Sequence, residues 1–390
     1  MRKIISAMAI MASALPLMAQ QHITLDAAVG KALRDYPSIR ASQLQAQSAA
    51  ALSKSVSALG DMELSGGGEE IGHNNDAVYT LARLRQNIDP FGAAGTRRRL
   101  KAQASVAEAE TAVVKRDLAR QVCADFINDY AARLRYENML RMDSLYADFS
   151  KVAKLRYETQ AVALLEYQTA LNKSQQVSLA LAEARKDLNT AHLNLSRWLS
   201  ADTLYAAESP DDSPLATTLL PQGEHPNVAL GRQVVSLSQA AVAEAKSQRL
   251  PKLFVEAGMQ RIGSRNGFYA WQVGLSIPIA FGSTRAAVRA AQLSTERAMA
   301  EAEATTRNLA NKKATLQAEY DKCRESVAYY QSHALPLARE QQRMAALSYR
   351  EGSIGYLDFI QSMNDALATE MNYVDTYTRM LESKYNLIYY

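Results

Sequence analysis

The chain repeats itself at half its length, and that duplication limits the folds open to it. The stretch from Tyr349 to Phe359 has an earlier copy running from Tyr157 to Tyr167. Tyr157 matches Tyr349, Val162 matches Ile354, Leu165 matches Leu357, Glu166 matches Asp358 and Tyr167 matches Phe359, all at one ungapped offset of 192 residues. Each copy lies between two long helical patterns, so each reads as the tight turn at the tip of a helical hairpin. Whatever one half of the chain forms, the other half must form again.

The cycle can be followed in order. Thr24 can cap a first helix whose apolar face is Leu25, Ala28, Ala32 and Leu33. Pro37 marks a break, and the pattern resumes over about 38–58. Residues 61–70 read as a strand ending in Gly66-Gly67-Gly68, and 71–76 as a loop. Over 77–88, Val78, Thr80, Ala82, Leu84 and Ile88 face one way while Arg83, Arg85 and Asn87 face the other. Thr96 can then cap a helix reaching about Tyr157. Beyond the tip, a helix over about 163–200 carries Tyr167, Ala170, Ser174, Val177, Leu181, Ala184, Leu188, Ala191, Leu195 and Trp198 at alternating spacings of three and four, a coiled-coil seam.

Four prolines mark a linker at 201–226. The second pass follows: a helix over about 227–249, a strand opened by Pro251, a turn at 263–267, and a strand in which Tyr269, Trp271, Val273, Leu275, Ile277, Ile279 and Phe281 share a face. A helix then descends to the tip at 349–359, with a kink expected at Pro336. The last helix repeats the seam from Phe359 to Tyr390. The expected divisions are a signal at 1–19, a first structural repeat at 20–200 (tip 157–167), the linker at 201–226, and a second repeat at 227–390. Each descending helix, of about 62–66 residues, matches two shorter ones stacked end to end. At 1.5 Å per residue that predicts a column roughly 90–100 Å long.

Arg2 and Lys3, followed by a short apolar run to Met18 and small Ala19, read as a secretory signal; a first transmembrane helix is the competing reading. Without those residues the net charge falls from +4 to +2, which makes no case for nucleic acid. Cys123 and Cys323 sit inside helical patterns and read as two buried thiols rather than a bridge.

Alternating strands alone do not choose between a sandwich and a membrane barrel. Two features favour the membrane. There are four strands in two hairpins separated by long helices, and Tyr269 and Trp271 stand about ten residues from Phe281 on the same face, as two aromatic girdles would. Four strands cannot close a barrel, and open edges are not tolerated in lipid. The barrel would therefore be shared in a ring of identical chains.

The chain resembles the TolC family of outer-membrane efflux proteins. The likeness rests on the opening run Leu25 to Pro37, its counterpart around His225-Pro226, Leu250-Pro251 before a strand, Ile277-Pro278 to Gly282 leading into a helix, and Tyr349, Gly352 and Leu357-Asp358 at the second tip. The resemblance implies a mainly α fold with a small membrane β part. Three chains would form an α-helical periplasmic tunnel continuous with a shared twelve-strand outer-membrane barrel, four strands from each. It implies a passive exit duct of a tripartite efflux or type I secretion system. The partners would be a homotrimer, a periplasmic adaptor (membrane fusion) protein, an inner-membrane pump of the resistance-nodulation-division type, and outer-membrane lipid. It implies no cofactor and no catalytic site. A periplasmic coiled-coil scaffold without a pore is the alternative.

At the tips, the resemblance matches Tyr349 to a gating tyrosine, Glu166 to its acidic partner and Asp358 to an acid lining the aperture. The second aperture acid falls on Gln361 and the gating arginine on Ile354, so a weaker polar latch and more apolar contact are expected. Each residue also has a plainer reading. Asp358 suits the first turn of any helix, Tyr157 and Tyr349 suit packing at a turn, and Gly352 and Gly355 suit turn geometry. Tyr269, Trp271, Val273, Leu275, Ile277 and Phe281 are the expected membrane-facing residues. Arg97, Arg98 and Arg99 could meet headgroup phosphates, line an entrance or simply be solvated. The five histidines are scattered, without metal-ligand spacing, and no nucleophile or phosphate-loop motif occurs.

Overall fold

The computed structural model describes residues 21–69, 77–199, 202–211, 223–278 and 281–390. The expected signal, the loop at 71–76, Pro214, Pro221 and Ile279 lie outside the described residues. The chain divides into two compact units. One comprises Met1–Tyr36, Leu118–Pro221 and Thr315–Tyr389; the other comprises Pro37–Asp117, Gln222–Ala314 and Tyr390.

The first unit holds β1 (Gln21–Ile23), α1 (Leu25–Asp35), most of α3 (Pro90–Glu158), α4 (Leu164–Ser196), β4 (Tyr205–Ala207), the end of α6 (Phe281–Tyr329), α7 (Leu335–Arg350) and α8 (Tyr356–Ile388). Thr24 caps α1 as expected, its hydroxyl accepting from the Ala27 amide. Along α4 the seam positions Ala170, Val177 and Leu195 are buried, and in α8 so are Phe359, Ala366, Met380, Ser383 and Leu387. At the site of the expected kink, a π-helical turn, Tyr330–Ala334, directly precedes the turn that holds Pro336. A widened turn accommodates the missing amide of proline without ending the helix.

A small parallel pairing was not legible in the sequence. β1 and β4 lie side by side, Gln21 against Tyr205 and Ile23 against Ala207. A buried polar network anchors β4. His192 Nδ1 donates to Asp129 at 2.5 Å, the Ala207 amide donates to the other Asp129 oxygen at 2.8 Å, and the Tyr205 amide donates to Ser196 Oγ at 2.8 Å. Each buried group is thereby satisfied, as burial requires. The two thiols are free and buried, and burial pushes Cys123 up to about 12.

The second unit holds α2 (Pro37–Leu52), α5 (Pro226–Ser247), the start of α3 and of α6, and one antiparallel sheet. That sheet is built from β2 (Leu59–Glu69), β3 (Val78–Ile88), β5 (Lys252–Ile262) and β6 (Arg265–Ser276), in the order β2-β3-β5-β6. Register fixes its faces. Leu64 opposes Leu84, Leu84 opposes Ala257 and Ala257 opposes Trp271, while Gln86, Val255 and Val273 form the next row. This face is apolar apart from Gln86, and it is exposed: Trp271 is 81 % and Tyr269 79 % accessible. The opposite face is polar. Arg83 pairs with Glu256 at 3.1 Å, Asn87 donates to Glu63 at 3.0 Å, and the Arg85 guanidinium lies 4.1 Å from the Phe254 ring centre. Phe254 lies flat because its neighbour is Gly274, where a Cβ would come within 2.3 Å of the ring.

Several local expectations are corrected. α3 begins at Pro90, not after Thr96, because Asp89 caps it by accepting from the Gly92 amide at 2.8 Å. A proline in the first turn loses no bond it would otherwise make. The turn expected at 263–267 is only two residues, Gly263 and Ser264, with Gly263 at φ 55°. In β3 a bulge at Leu81 reverses the alternation. Ala82 opposes Met259 but Thr80 opposes its neighbour Gln260, so Val78 and Thr80 leave the apolar face. The strongest strand stops at Ser276. Ile277 follows it and Phe281 opens α6, so neither extends the strand's face. Pro278 lacks the amide a continuing ladder would need.

Candidate functional site

The two hairpin tips are built alike, residue for residue. α4 and α8 each have 33 residues, starting at Leu164 and Tyr356 and ending at Ser196 and Ile388, which again differ by 192. Each preceding helix ends in a left-handed residue, Gln160 at φ 59° in the first tip and Gly352 at φ 73° in the second. The same two backbone bonds close each turn. The Ala161 amide donates to Arg156 O and the Gln160 amide to Tyr157 O; the Ser353 amide donates to Ser348 O and the Gly352 amide to Tyr349 O. This pair of bonds satisfies the last carbonyls of a helix and reverses the chain. Gly355 stands in extended geometry as the residue before α8. Its place in the turn is confirmed, but its conformation does not demand glycine.

Both tips lie in the first unit and touch. Tyr349, 1 % exposed, donates its hydroxyl to Glu166 Oε1 at 2.6 Å. Arg156, immediately before Tyr157, donates to Tyr349 O at 3.2 Å and holds its guanidinium 4.8 Å from the Tyr349 ring centre. Burial first, then the bond to Glu166, raise the Tyr349 hydroxyl above its ordinary value of 10. Tyr356 is raised by burial and by the same carboxylate. At neutral pH both tyrosines are protonated, and Tyr349 is the donor to the Glu166 carboxylate.

Around this bond lies an aromatic cluster. Phe149 stacks on Phe359 at 4.2 Å, with Tyr349 at 4.6 Å and Tyr356 at 5.7 Å from Phe149. Met142, Tyr146, Ala153, Ala170, Val177, Ala345 and Met363 complete the buried core, and Ile354 packs on it. The expected apolar contact at Ile354 is therefore present. Rings that pair this way contribute about 0.5–1.5 kcal/mol each beyond their burial. The repeat reaches into the packing as well. Tyr157 stacks on Tyr167 at 5.9 Å just as Tyr349 meets Phe359 at 5.2 Å, although Tyr157 is 38 % exposed.

The structure thus joins Tyr349 to Glu166 and leaves Asp358 exposed in the first turn of α8. Gln361 is exposed too. Leu165 and Leu357, equivalent under the repeat, are each 73 % exposed. Sequence reasoning missed Arg156 and Phe149. Neither has a like counterpart 192 residues on, where Ser348 and Gln341 stand, so the duplication that revealed the tips concealed them. Among the described residues no cluster of histidine, cysteine and carboxylate side chains could hold a metal ion, and no helix is long and apolar enough to cross a membrane.

Solved structures with the same fold are outer-membrane and other membrane proteins. A membrane protein from Pseudomonas aeruginosa is 17 % identical, with a TM-score of 0.79 over 94 % of this chain and 92 % of that one. The outer membrane protein VceC of Vibrio cholerae is 15 % identical, with a TM-score of 0.76 over 93 % and 95 %. The MtrE outer membrane channel of Neisseria gonorrhoeae, in its open state, is 14 % identical, with a TM-score of 0.71 over 94 % and 88 %. No curated protein matches the sequence. A family model for outer membrane efflux proteins matches residues 222–389, the stretch from the end of the linker through the second repeat. The chain thus has the fold of outer-membrane channels such as MtrE, and its residues 222–389 are similar to outer membrane efflux proteins.

Proposed function

We propose that this protein is the outer-membrane exit duct of an efflux system, a passive channel rather than an enzyme. The observation that carries this is the sheet. Its strands are 11 or 12 residues long, one face is apolar and exposed, and β2 and β6 end it as unpaired edges. A strand of about 9–11 residues spans the apolar layer of a bilayer when tilted. An open edge is not stable there, so β6 of one chain pairs with β2 of the next. Three copies give twelve strands, and their helices form the tunnel in the periplasm. The similarity of residues 222–389 to outer membrane efflux proteins supports the same reading.

The tips are then the periplasmic mouth. Tyr349, Glu166 and Arg156 hold it closed, and Asp358 stands where three copies would place carboxylates around an aperture and favour cations. Exposed Leu165 and Leu357 offer apolar contact to a periplasmic adaptor, which links the duct to an inner-membrane pump of the resistance-nodulation-division type. Energy and cargo choice belong to the pump.

The deciding experiment is Val273→Arg. Val273 is exposed at the middle of β6, and a charge at mid-bilayer costs about 2–4 kcal/mol. The wild type is expected to purify in detergent as a trimer, and the variant to lose assembly. A wild type that is a monomer without detergent, with Val273→Arg unaffected, would favour a pore-free scaffold.

A further inference from the structure

One end of the sheet is ringed by positive charge that the channel reading leaves unused. Residues 53–58 lead into β2, 89–102 leave β3, 243–252 lead into β5, and 281–290 leave β6. These four stretches hold ten basic and two acidic side chains, a balance of +8 in a chain whose total is +4. Both acids are already engaged: Asp89 with Lys252 at 3.0 Å, and Glu244 with Arg99 at 2.6 Å. The side chains of Lys54, Arg98, Lys101, Lys246, Arg249 and Arg285 are exposed, and among the described residues none has an ionic or hydrogen-bonding partner. Neither α3 nor α6 has an acid in its first turn. The helix dipole favours only part of this charge: Lys246 lies in the last turn of α5, and Lys54 and Arg249 follow the ends of α2 and α5, whereas Arg98, Lys101 and Arg285 stand beyond the first turns of α3 and α6, where the dipole gives them no support.

We infer that this collar binds the phosphate headgroups of anionic phospholipid in the leaflet that the barrel meets on the helix side. The inference rests on the channel reading. Two observations on opposite sides of one boundary carry it. The apolar, exposed sheet face runs down to Leu253 and Leu275, where acyl chains would lie. The unpartnered cations begin immediately beyond, within about 17 Å along the helices at 1.5 Å per residue. Headgroup phosphates occupy that boundary, and ammonium and guanidinium groups donate strong charge-assisted bonds to them. Each cation near an anionic bilayer surface raises binding about five-fold.

The test compares the full-length protein with a variant carrying Arg98→Gln, Lys246→Gln, Arg249→Gln and Arg285→Gln. Both are incorporated into mixed bilayers of phosphatidylcholine and phosphatidylglycerol, extracted in mild detergent, and the retained lipid is quantified by mass spectrometry. The wild type is expected to enrich phosphatidylglycerol about five-fold or more, less so as salt rises, and the variant to retain both lipids in bulk proportion. Equal enrichment by both proteins overturns the collar. So does displacement of the lipid by inorganic phosphate at matched concentration, which would make the collar a simple ion site. Incorporation into bilayers of phosphatidylcholine alone does not depend on the four cations. If neither protein incorporates there, the channel reading itself fails.

Discussion

Replacing Tyr349 by phenylalanine removes one oxygen from the centre of the tip and leaves its ring among Phe149 and Phe359. The lost bond, 2.6 Å long to a carboxylate, belongs to the stronger class, with a net worth of about 1.5–3 kcal/mol. Glu166 is only half-buried and regains water when the hydroxyl goes, so about 1–2 kcal/mol is the expected local loss. Arg156 still bonds Tyr349 O, which keeps the turn itself intact. Hydrogen exchange over residues 345–359 in the detergent-solubilised protein reads this directly, and 1–2 kcal/mol corresponds to about 5–30-fold faster exchange. Glu166→Gln should act similarly, and the double variant should be little worse than either single one. In planar bilayers the Tyr349→Phe channel should open more often. If the two substitutions add, or if exchange at the tip is unchanged, the bond is not a latch and the reasoning is refuted. The bond also has a pH limit. Because the native hydroxyl is raised above 10, its stabilisation is complete below pH 10 and is lost as pH climbs through the higher native value.

The remaining expectations concern backbone and burial. Gly352→Ala should loosen the second tip by about 1 kcal/mol through its left-handed φ, and Gln160→Gly should tighten the first by about 0.5–1 kcal/mol, both visible as opposite shifts in tip hydrogen exchange. Gly95→Ala should destabilise the packing of α3 on α5 by about 1–3 kcal/mol, since its Cβ would fall 2.2 Å from Ser247 Oγ; thermal denaturation should show partial rescue by Ser247→Ala. Cys123, raised to about 12, and buried Cys323 should resist maleimide in the folded protein at neutral pH and react in denaturant. Rapid labelling of the native protein would contradict their burial.

The long-range plan was legible because duplication and periodicity are carried by many residues at once. α4 and α8 kept their common offset to the last residue; part of the seam predicted for each is buried, but in α8 the buried face is wider and also takes in Met363, Glu370, Val374, Tyr377 and Leu381. The errors cluster where one residue decides. Asp89 capped α3 before Thr96 could, and Pro278 ended β6 before Phe281. At Leu81 a single inserted residue turned Val78 and Thr80 to the other face. At the tip, Tyr349 and Glu166 were visible through the resemblance and the repeat, and their bond follows. Arg156 was not visible, because its interaction with Tyr349 joins two hairpins and depends on packing that no local pattern records.

The pairing of β1 with β4 has a consequence for how the chain is made. Gln21 finds its partner at Tyr205, 184 residues later, and three-residue strands have no stability alone. At about 5–20 residues per second the partner emerges roughly 10–40 s after β1. Throughout that interval β1 lacks its strand partner, and its docking must await the Asp129–His192 network that positions β4. β1 is thus among the last parts of the first unit to settle.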